Sequence, residues 1–284
     1  MYRVADAALV ALILAGLAWS AGLITTSSAV FGFAVAFVML LGAGIPGIVI
    51  LALFFPASTH LSHEVRRRRE KQRAREAEAT GVPVPELAAE EAAEARPRLL
   101  PDWKQMAANG AVGCAFAAAY FLFEGQAQVA ATAAGRGALT VWANLQNSFA
   151  PCSPLIAGMV AALGSAAADT ASHEVGVTTR GGTYLLVGRR RVRAGTTGGV
   201  SALGTSVMVL TVAAFMLASW VMRMGSGWPF LMAVGVGGII GNLLDSVVGE
   251  LAERRYKAWG NNLTNLASTA VAGAAAFGLA LWLG

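Results

Sequence analysis

Residues 228–248 read WPFLMAVGVGGIIGNLLDSVV, an apolar run of 21 residues whose single charged side chain, Asp245, lies close to its end. A helix of about 20 apolar residues is long enough to cross the hydrocarbon core of a bilayer, about 30 Å thick. Comparable runs recur near residues 5–23, 28–55, 106–123, 138–168, 199–222 and 263–283. The sequence therefore predicts an all-α, polytopic transmembrane helical bundle of about seven spans.

The composition of the whole chain agrees with this fold class. The 284 residues are 56% hydrophobic and 13% charged, whereas soluble domains carry about 25% charged residues. Both cysteines, Cys114 and Cys152, lie in apolar segments. They are most simply small buried side chains, so they indicate neither a disulfide framework nor a metal site.

The basic residues predict the orientation of the bundle. With seven spans and the amino terminus inside, 19 of the 21 Lys and Arg residues fall on one side, and only Arg136 and Arg223 fall on the other. This asymmetry predicts a multi-pass membrane protein, of the cell (inner) membrane if its source is a prokaryote, with its amino terminus, basic loops and active site on the cytoplasmic side. The net charge of +5 then faces a membrane surface, so membrane lipids are expected partners and nucleic acid is not.

Two of the predicted spans contain breaks. Segment 28–55 includes GAGIPG at residues 42–47, and segment 138–168 includes PCSP at residues 151–154. Breaks free backbone polar groups that lipid cannot satisfy, so they belong against protein or a wet cavity. An ordinary proline kink is the alternative.

One segment of the chain is strongly polar, and it divides the sequence into three parts. Residues 1–56 are predicted to be N-terminal transmembrane helices, residues 57–102 a charged helical insert, and residues 103–284 a transmembrane catalytic core. The insert predicts two solvated helices on the cytoplasmic membrane surface. Its histidine pair, His60 and His63, is spaced to share a metal ion, but no third ligand is close in sequence.

An acidic pattern occurs twice along the chain. Residues 169–174 read DTASHE and residues 245–250 read DSVVGE, and each closes a span that runs toward the cytoplasm. A basic stretch follows each copy, and then a small polar stretch enters the next span: GTTGGVS at residues 195–201, or NNLTN at residues 261–265. This shared order predicts an internal repeat whose two carboxylate clusters meet at one depth.

Glycines accompany the second acidic copy at helical spacing. Four residues step by four and so share one helix face: Gly237, Gly241, Asp245 and Gly249. A stripe of glycines predicts close approach of a neighbouring backbone.

Asp169 and Asp245 are the candidate catalytic and metal-binding residues. Carboxylates at a membrane boundary are costly unless they are paired or bound to a cation, and Mg²⁺ fits better than zinc because hard oxygen ligands predominate. Glu174 is a further candidate for both roles, and Glu250 for metal binding. Each glutamate lies about 140° round a regular helix from its aspartate, so it reaches the site only where the helix has ended or bent. A structural Asp–Arg bridge is the alternative.

The neighbouring residues suit anions. Guanidinium groups match phosphate oxygens, and the glycine-rich stretch leads directly into a helix whose free amides and positive dipole end face the same space. No Gly-Lys-Ser/Thr follows, so this stretch is not a Walker loop. The candidate nucleotide- or phosphate-binding residues are Arg180, Arg189, Arg193, Gly195, Thr196, Thr197, Gly198, Gly199, Asn261, Asn262 and Asn265.

At these blocks the sequence resembles the integral-membrane phytyl-phosphate (prenyl-phosphate) kinase family, formerly a membrane domain of unknown function. The matching blocks are residues 168–176, 192–205, 241–246 and 261–265, in the family's order. Three positions depart from the residues usual in the family: Ala171, His173 and Leu263.

The resemblance implies transfer of the γ-phosphoryl group of a nucleoside triphosphate, with CTP as the first candidate, to an isoprenoid monophosphate. The product is the diphosphate, and Mg²⁺ is the implied cofactor. The resemblance also implies phosphate contacts for Ser201, Asn242 and Ser246 and a catalytic role for Arg193. The nucleotide, the prenyl chain length and the oligomeric state stay open.

Other functions compete with this one. A transporter or flippase of an anionic lipid or small solute also has broken helices, repeats and boundary charges, although here few charged residues lie near the bilayer midplane. A CDP-alcohol phosphotransferase would need a repeated-aspartate motif that this sequence does not contain. A purely structural scaffold leaves the paired acidic motifs unexplained.

Overall fold

A computed structural model describes residues 2–54, 103–125, 149–150, 152–179, 181–253, 256 and 259–284. The predicted insert at 57–102, with His60 and His63, lies outside the described residues. So do Arg180 and residues 138–148 of the predicted fourth span.

The described residues form seven α-helices: α1 (Tyr2–Ser20), α2 (Thr26–Ala52), α3 (Trp103–Tyr120), α4 (Pro154–Gly176), α5 (Ala202–Val221), α6 (Gly227–Val248) and α7 (Asn261–Leu283). Two π-helical turns extend the bundle, Phe121–Gly125 after α3 and Gly249–Glu253 after α6. Six of the helices are long and apolar enough to cross a bilayer, and α1 supplies the shorter apolar helix Val4–Ser20. The predicted all-α, polytopic fold is confirmed.

Helix α4 lies at the centre of the bundle. It packs against α3, α5, α6 and α7, and 78% of its most apolar stretch is buried, compared with 28% in α5. Ten of its 23 residues are alanine or glycine, and these small side chains let four neighbours approach one helix. Pro154 is the first residue of α4, a position where the backbone N–H that proline lacks would have no helical partner. The Ser153 hydroxyl caps the helix by accepting from Ile156 N at 3.3 Å. Ser153 and Pro154 of the predicted break at residues 151–154 therefore lie at the start of α4.

The predicted break in the second span is present in α2. Gly44 has φ 62° and ψ −150°, a conformation outside the helical region, so the helix is kinked there. A Cβ atom at nearby Gly42 would collide with the backbone of Ala117 on α3. The freed backbone therefore lies against protein, as the sequence predicted.

The outer faces of the helices expose large apolar side chains. The most exposed include Leu210, Phe123, Trp228 and Trp282, at 69%, 81%, 63% and 80% respectively. Side chains of this kind are stable in contact with lipid, so these faces are the ones that a bilayer covers.

The connection from α4 to α5 contains a small antiparallel sheet that the sequence did not predict. Its strands are β1 (Thr183–Leu185), β2 (Arg191–Val192) and β3 (Gly199–Ser201), in the order β2-β1-β3. In the register, Thr183 pairs with Val192 on one side and Ser201 on the other. Strand β3 leads directly into α5, and the Ser201 hydroxyl caps that helix by accepting from Gly204 N at 3.1 Å.

Candidate functional site

A pocket of about 70 Å³ lies where the sheet meets α4, α5 and α6. Nine of the residues predicted for the site line it: Asp169, Gly195, Thr196, Gly198, Gly199, Ser201, Asn242, Asp245 and Ser246. The pocket therefore brings together the acidic residues of two helices and the glycine-rich stretch between them.

The two predicted aspartates meet in this pocket. Asp169 lies in the last third of α4 and Asp245 near the end of α6, and their carboxyl groups are within hydrogen-bonding distance of each other. The Ser268 hydroxyl of α7 donates to Asp245 Oδ1 at 3.1 Å. Two carboxylates in contact repel each other, so this pair either binds a cation or shares a proton. This arrangement suits cation binding.

A pair of buried asparagine side chains, those of Asn109 and Asn265, lies next to Asp245. The Asn265 side chain lies 2.8 Å from Oδ1 of Asn109 on α3, and both residues are 5% exposed. In the orientation that donates to Asn109 Oδ1, the Asn265 nitrogen faces Asn109; in the other amide orientation it faces Asp245 Oδ1 at 3.3 Å. Asn265 was predicted to bind phosphate, but the structure places it against Asp245 and not on the pocket wall. Asn109 was not predicted at all.

Glu250 does not join the aspartates. Its carboxylate accepts from Val187 N at 2.8 Å and from Gly188 N at 2.7 Å, at the tip of the β1–β2 hairpin. Glu250 lies in the π-helical turn that follows α6, so the regular α-helix does end before it, as its predicted role required. Its side chain nevertheless contacts the hairpin and not the aspartates. The expectation that Glu250 lies beside the aspartates is corrected: its oxygens hold backbone amides.

Glu174 is also outside the pocket wall. Helix α4 continues without a break to Gly176, so Glu174 keeps its position about 140° round the helix from Asp169. The predicted end or bend that would have turned it toward Asp169 does not occur. The pocket therefore has two carboxylates where the sequence predicted three or four.

The glycine-rich stretch forms a tight wall. Gly195 and Gly198 have φ values of 90° and 76°, in the left-handed region that favours glycine. A Cβ atom at Gly198 would lie 2.6 Å from Glu250 N and 2.8 Å from the Ser246 carbonyl oxygen. Only glycine permits this contact with the end of α6, which places the first turn of α5 in the pocket beside Asn242 and Ser246.

Several predicted phosphate contacts lie elsewhere. Arg189 and Arg193 are exposed in the β1–β2 hairpin and after β2, and neither lines the pocket. Thr197, Asn261 and Asn262 are likewise absent from its wall. Arginines on such a hairpin suit the outer part of a larger ligand better than the pocket itself.

The structure adds pocket residues that the sequence analysis did not select. Ser172, His173 and Gly176 contribute from α4, and Thr183 contributes from β1. Thr183 Oγ1 and Asn242 Nδ2 are buried without a hydrogen-bond partner, and they are the two side-chain atoms of this kind among the residues that the structure describes. The sequence did not indicate Thr183 as a pocket residue, because the strand that places it there was not predicted.

The pocket offers few side chains that can ligate a metal ion. Within the described parts of the chain, no group of three or more His, Cys, Asp or Glu side chains is placed to hold a metal. Magnesium is commonly held by only one or two carboxylates, with waters and substrate phosphates completing its shell. Asp169 and Asp245, with hydroxyl and amide groups beside them, fit that pattern. They do not fit a closed structural metal site.

The fold and the pocket define a multi-pass integral membrane protein with a polar, acidic site at one end of its helices. The chain belongs to the family described as integral membrane protein DUF92, which matches residues 9–275.

A curated relative is similar over part of the chain. It is named "uncharacterized membrane protein" and comes from Methanocaldococcus jannaschii, and the match is 32% identical over 116 residues. The match covers 41% of this chain and 48% of the relative, so the chain spans about half the length of that protein. No solved structure matches the chain.

Proposed function

We propose that the protein is a membrane-embedded, magnesium-dependent kinase that transfers the γ-phosphoryl group of a nucleoside triphosphate to an isoprenoid monophosphate. The observation that carries the proposal is the contact between Asp169 and Asp245 in a pocket whose other wall is a glycine-rich helix start. Carboxylates on one side and amide donors on the other are what a magnesium–phosphate ligand needs.

Each part of the pocket has a role in this reaction. Asp169 and Asp245 would hold Mg²⁺, which supplies charge neutralisation when it is bound. The phosphate oxygens bind to the polar groups of the glycine-rich wall that are not already bonded within the protein; Thr196 N, Gly199 N and Gly204 N donate to protein oxygens and are not among them. An oxygen of the acceptor monophosphate forms a bond to the γ-phosphorus while the β–γ bridging bond breaks, which leaves a nucleoside diphosphate.

No general base is required for this transfer. The attacking oxygen of a phosphate monoester is already anionic near neutral pH, so no proton has to be removed from it. Catalysis then consists of positioning two polyanions and offsetting their repulsion. The described wall of the pocket has two carboxylates, Asp169 and Asp245, and this transfer requires no third.

Different parts of the ligands would contact different surfaces of the site. The pocket of about 70 Å³ lies between the carboxyl pair and the glycine-rich stretch, and it receives the phosphoryl groups. The exposed arginines of the β1–β2 hairpin lie toward the nucleotide. Met208 of α5 and Leu243 of α6 form the apolar part of the wall, and Leu243 is 39% exposed, so the isoprenoid tail leaves the pocket between these helices.

The proposal is tested with purified full-length protein, labelled CTP, ATP, GTP or UTP, and a panel of prenyl monophosphates. We expect nucleotide-dependent formation of a prenyl diphosphate that requires Mg²⁺. Asp169→Asn and Asp245→Asn should each abolish turnover, and the double variant should lose little more, because residues that act as a unit are not additive.

Asp6→Asn is the matched control, since Asp6 belongs to α1 and does not line the pocket; this variant should keep full turnover. Unchanged turnover in a well-folded Asp169→Asn or Asp245→Asn protein would contradict the assignment. Solute or lipid movement across sealed vesicles without nucleotide, combined with no phosphorylation, would favour the transporter.

A further inference from the structure

The pocket contains two polar side chains whose hydrogen-bonding capacity is unused. Thr183 is 4% exposed and Asn242 is 5% exposed, and Thr183 Oγ1 and Asn242 Nδ2 have no hydrogen-bond partner among the residues that the structure describes. Leaving a buried donor unsatisfied costs about 1–3 kcal/mol, so folded proteins rarely do so. Both atoms belong to the wall of the same pocket, so their joint position requires an explanation.

The two side chains come from different elements and are held firmly. Thr183 is in the central strand β1, with β2 and β3 on either side of it, and its methyl group is near Gly199, where an added Cβ atom would lie 2.9 Å from it. Asn242 belongs to α6, one turn before Ser246. Rigid neighbours on both sides mean that neither group can easily turn to a protein partner.

The available hydrogen-bonding atoms decide the class of ligand. An amide nitrogen donates only, and a threonine hydroxyl donates when it faces an acceptor. The glycine-rich stretch lines the same wall, but its Thr196 and Gly199 amides already donate to protein oxygens, so Thr183 Oγ1 and Asn242 Nδ2 are the buried side-chain atoms left for a ligand. A ligand for this side of the pocket is therefore rich in acceptor oxygens, while the carboxyl pair forms the opposite, cation-binding side.

We propose that Thr183 and Asn242 form a donor pair that binds the oxygens of a phosphate-type oxyanion in this pocket. The inference deepens the proposed function, on which it rests for the choice of phosphate over other oxyanions. It adds Thr183 as a binding residue and assigns the amide nitrogen of Asn242 to a ligand oxygen.

The experiment measures binding of inorganic pyrophosphate, with Mg²⁺ present, to the purified full-length protein by calorimetry. Thr183→Val keeps the shape and removes the hydroxyl, so the dissociation constant should rise about tenfold or more, as for loss of a hydrogen bond to a charged group. Thr183→Ser keeps the hydroxyl and should bind nearly as well as the wild type. Asn242→Leu should weaken binding to a similar extent as Thr183→Val.

Stability provides a second readout that an ordinary structural role would not give. Because the Thr183 hydroxyl has no partner within the described part of the chain, Thr183→Val should not lower the melting temperature. Thr269→Val is the matched control: Thr269 is fully buried, and its hydroxyl donates to the Asn265 carbonyl oxygen at 2.8 Å. That variant should melt at a lower temperature and bind pyrophosphate with unchanged affinity.

The outcomes separate this inference from the proposed function. Pyrophosphate affinity that stays unchanged in both Thr183→Val and Asn242→Leu would overturn the donor pair, even in an active kinase, and would leave both groups as water ligands. Absence of any pyrophosphate binding to the wild type would also overturn it. Weakened binding in both variants supports the pair, even where no prenyl phosphate is phosphorylated and the proposed function fails. If Thr183→Val does not fold, Thr183→Ala carries the same test.

Discussion

Glu250 illustrates how one carboxylate can hold a loop in place. Its two oxygens accept from consecutive backbone amides, Val187 N and Gly188 N, and Gly188 is close enough that an added Cβ atom would lie 3.0 Å from Glu250 Oε1. Hydrogen bonds to a charged acceptor are stronger than those between neutral groups. The π-helical turn after α6 and the tip of the hairpin are therefore joined through a single side chain.

Glu250→Gln should loosen the hairpin without unfolding the bundle. Glutamine keeps one acceptor oxygen but presents an NH₂ group where the second was, so one of the two amides loses its partner. We expect hydrogen exchange at Val187 and Gly188 to accelerate on the order of tenfold, as measured by mass spectrometry. Glu124→Gln is the control, because Glu124 accepts from Ser153 at a different site. Equal exchange rates at these two amides in Glu250→Gln and in the wild type would show that the two hydrogen bonds to Glu250 stabilise the hairpin very little.

At the scale of residues, spacing located the two aspartates but not all of their surroundings. Asp169 and Asp245 were found because each ends a recognisable apolar run and is costly to place there. Glu250 was predicted to join the aspartates, and this was wrong because the sequence did not predict the hairpin whose backbone amides bind its carboxylate. Asn109 was missed because one asparagine in an apolar span gives no indication of its partner, and its contact with Asn265 joins residues far apart in sequence.

The glycines of α6 determine how the elements pack. A Cβ atom at Gly237 would lie 2.6 Å from the Ala272 carbonyl oxygen, and one at Gly241 would lie 2.5 Å from both Ala272 Cβ and Ser165 Oγ. The backbone of α7 thus approaches α6 closely, as the four-residue step predicted. This approach is what places Ser268 beside Asp245.

Gly241→Ala should destabilise the bundle, because overpacking of this kind costs about 1–3 kcal/mol. We expect a lower melting temperature in detergent. Gly278→Ala in α7 is the same change at a position where an added Cβ atom meets nothing within 4 Å, so its melting temperature should equal that of the wild type or exceed it. Similar melting temperatures for the two variants would contradict the close packing of α6 on α7.

Elements with a long periodic signal were predictable, and short ones were not. The break at Gly44 and six of the helices followed from composition and spacing alone, whereas α4, Pro154–Gly176, lies later in the chain than the predicted span 138–168. The strands of the α4–α5 connection have two or three residues each, too few to show the alternation that identifies a strand. They form because the chain between the two helices turns back on itself and pairs its own backbone. The pocket wall that contains Thr183 depends on this pairing.

At the scale of the whole molecule, the orientation predicted from basic residues is testable by labelling. Helix α5 is 20 residues long, so the exposed residues Arg190 and Ser226 should lie on opposite sides of a bilayer, about 30 Å apart. In a protein with Cys114→Ala and Cys152→Ala, a membrane-impermeant maleimide should label Ser226→Cys on intact spheroplasts. Arg190→Cys should react only after the membrane is opened. The reverse result would place the acidic pocket outside the cell.

The central position of α4 has a consequence for how the protein is made. Of the six helices that can span a bilayer, α4 is the least apolar, and it is also the most buried. A translocon selects spans by their affinity for lipid, so α4 leaves the ribosome with a weak signal of its own. The helices that enclose one side of it, α5 to α7, are synthesised afterwards. Stable insertion of α4 therefore waits for the last third of the chain, and the acidic pocket is assembled at the end of biogenesis.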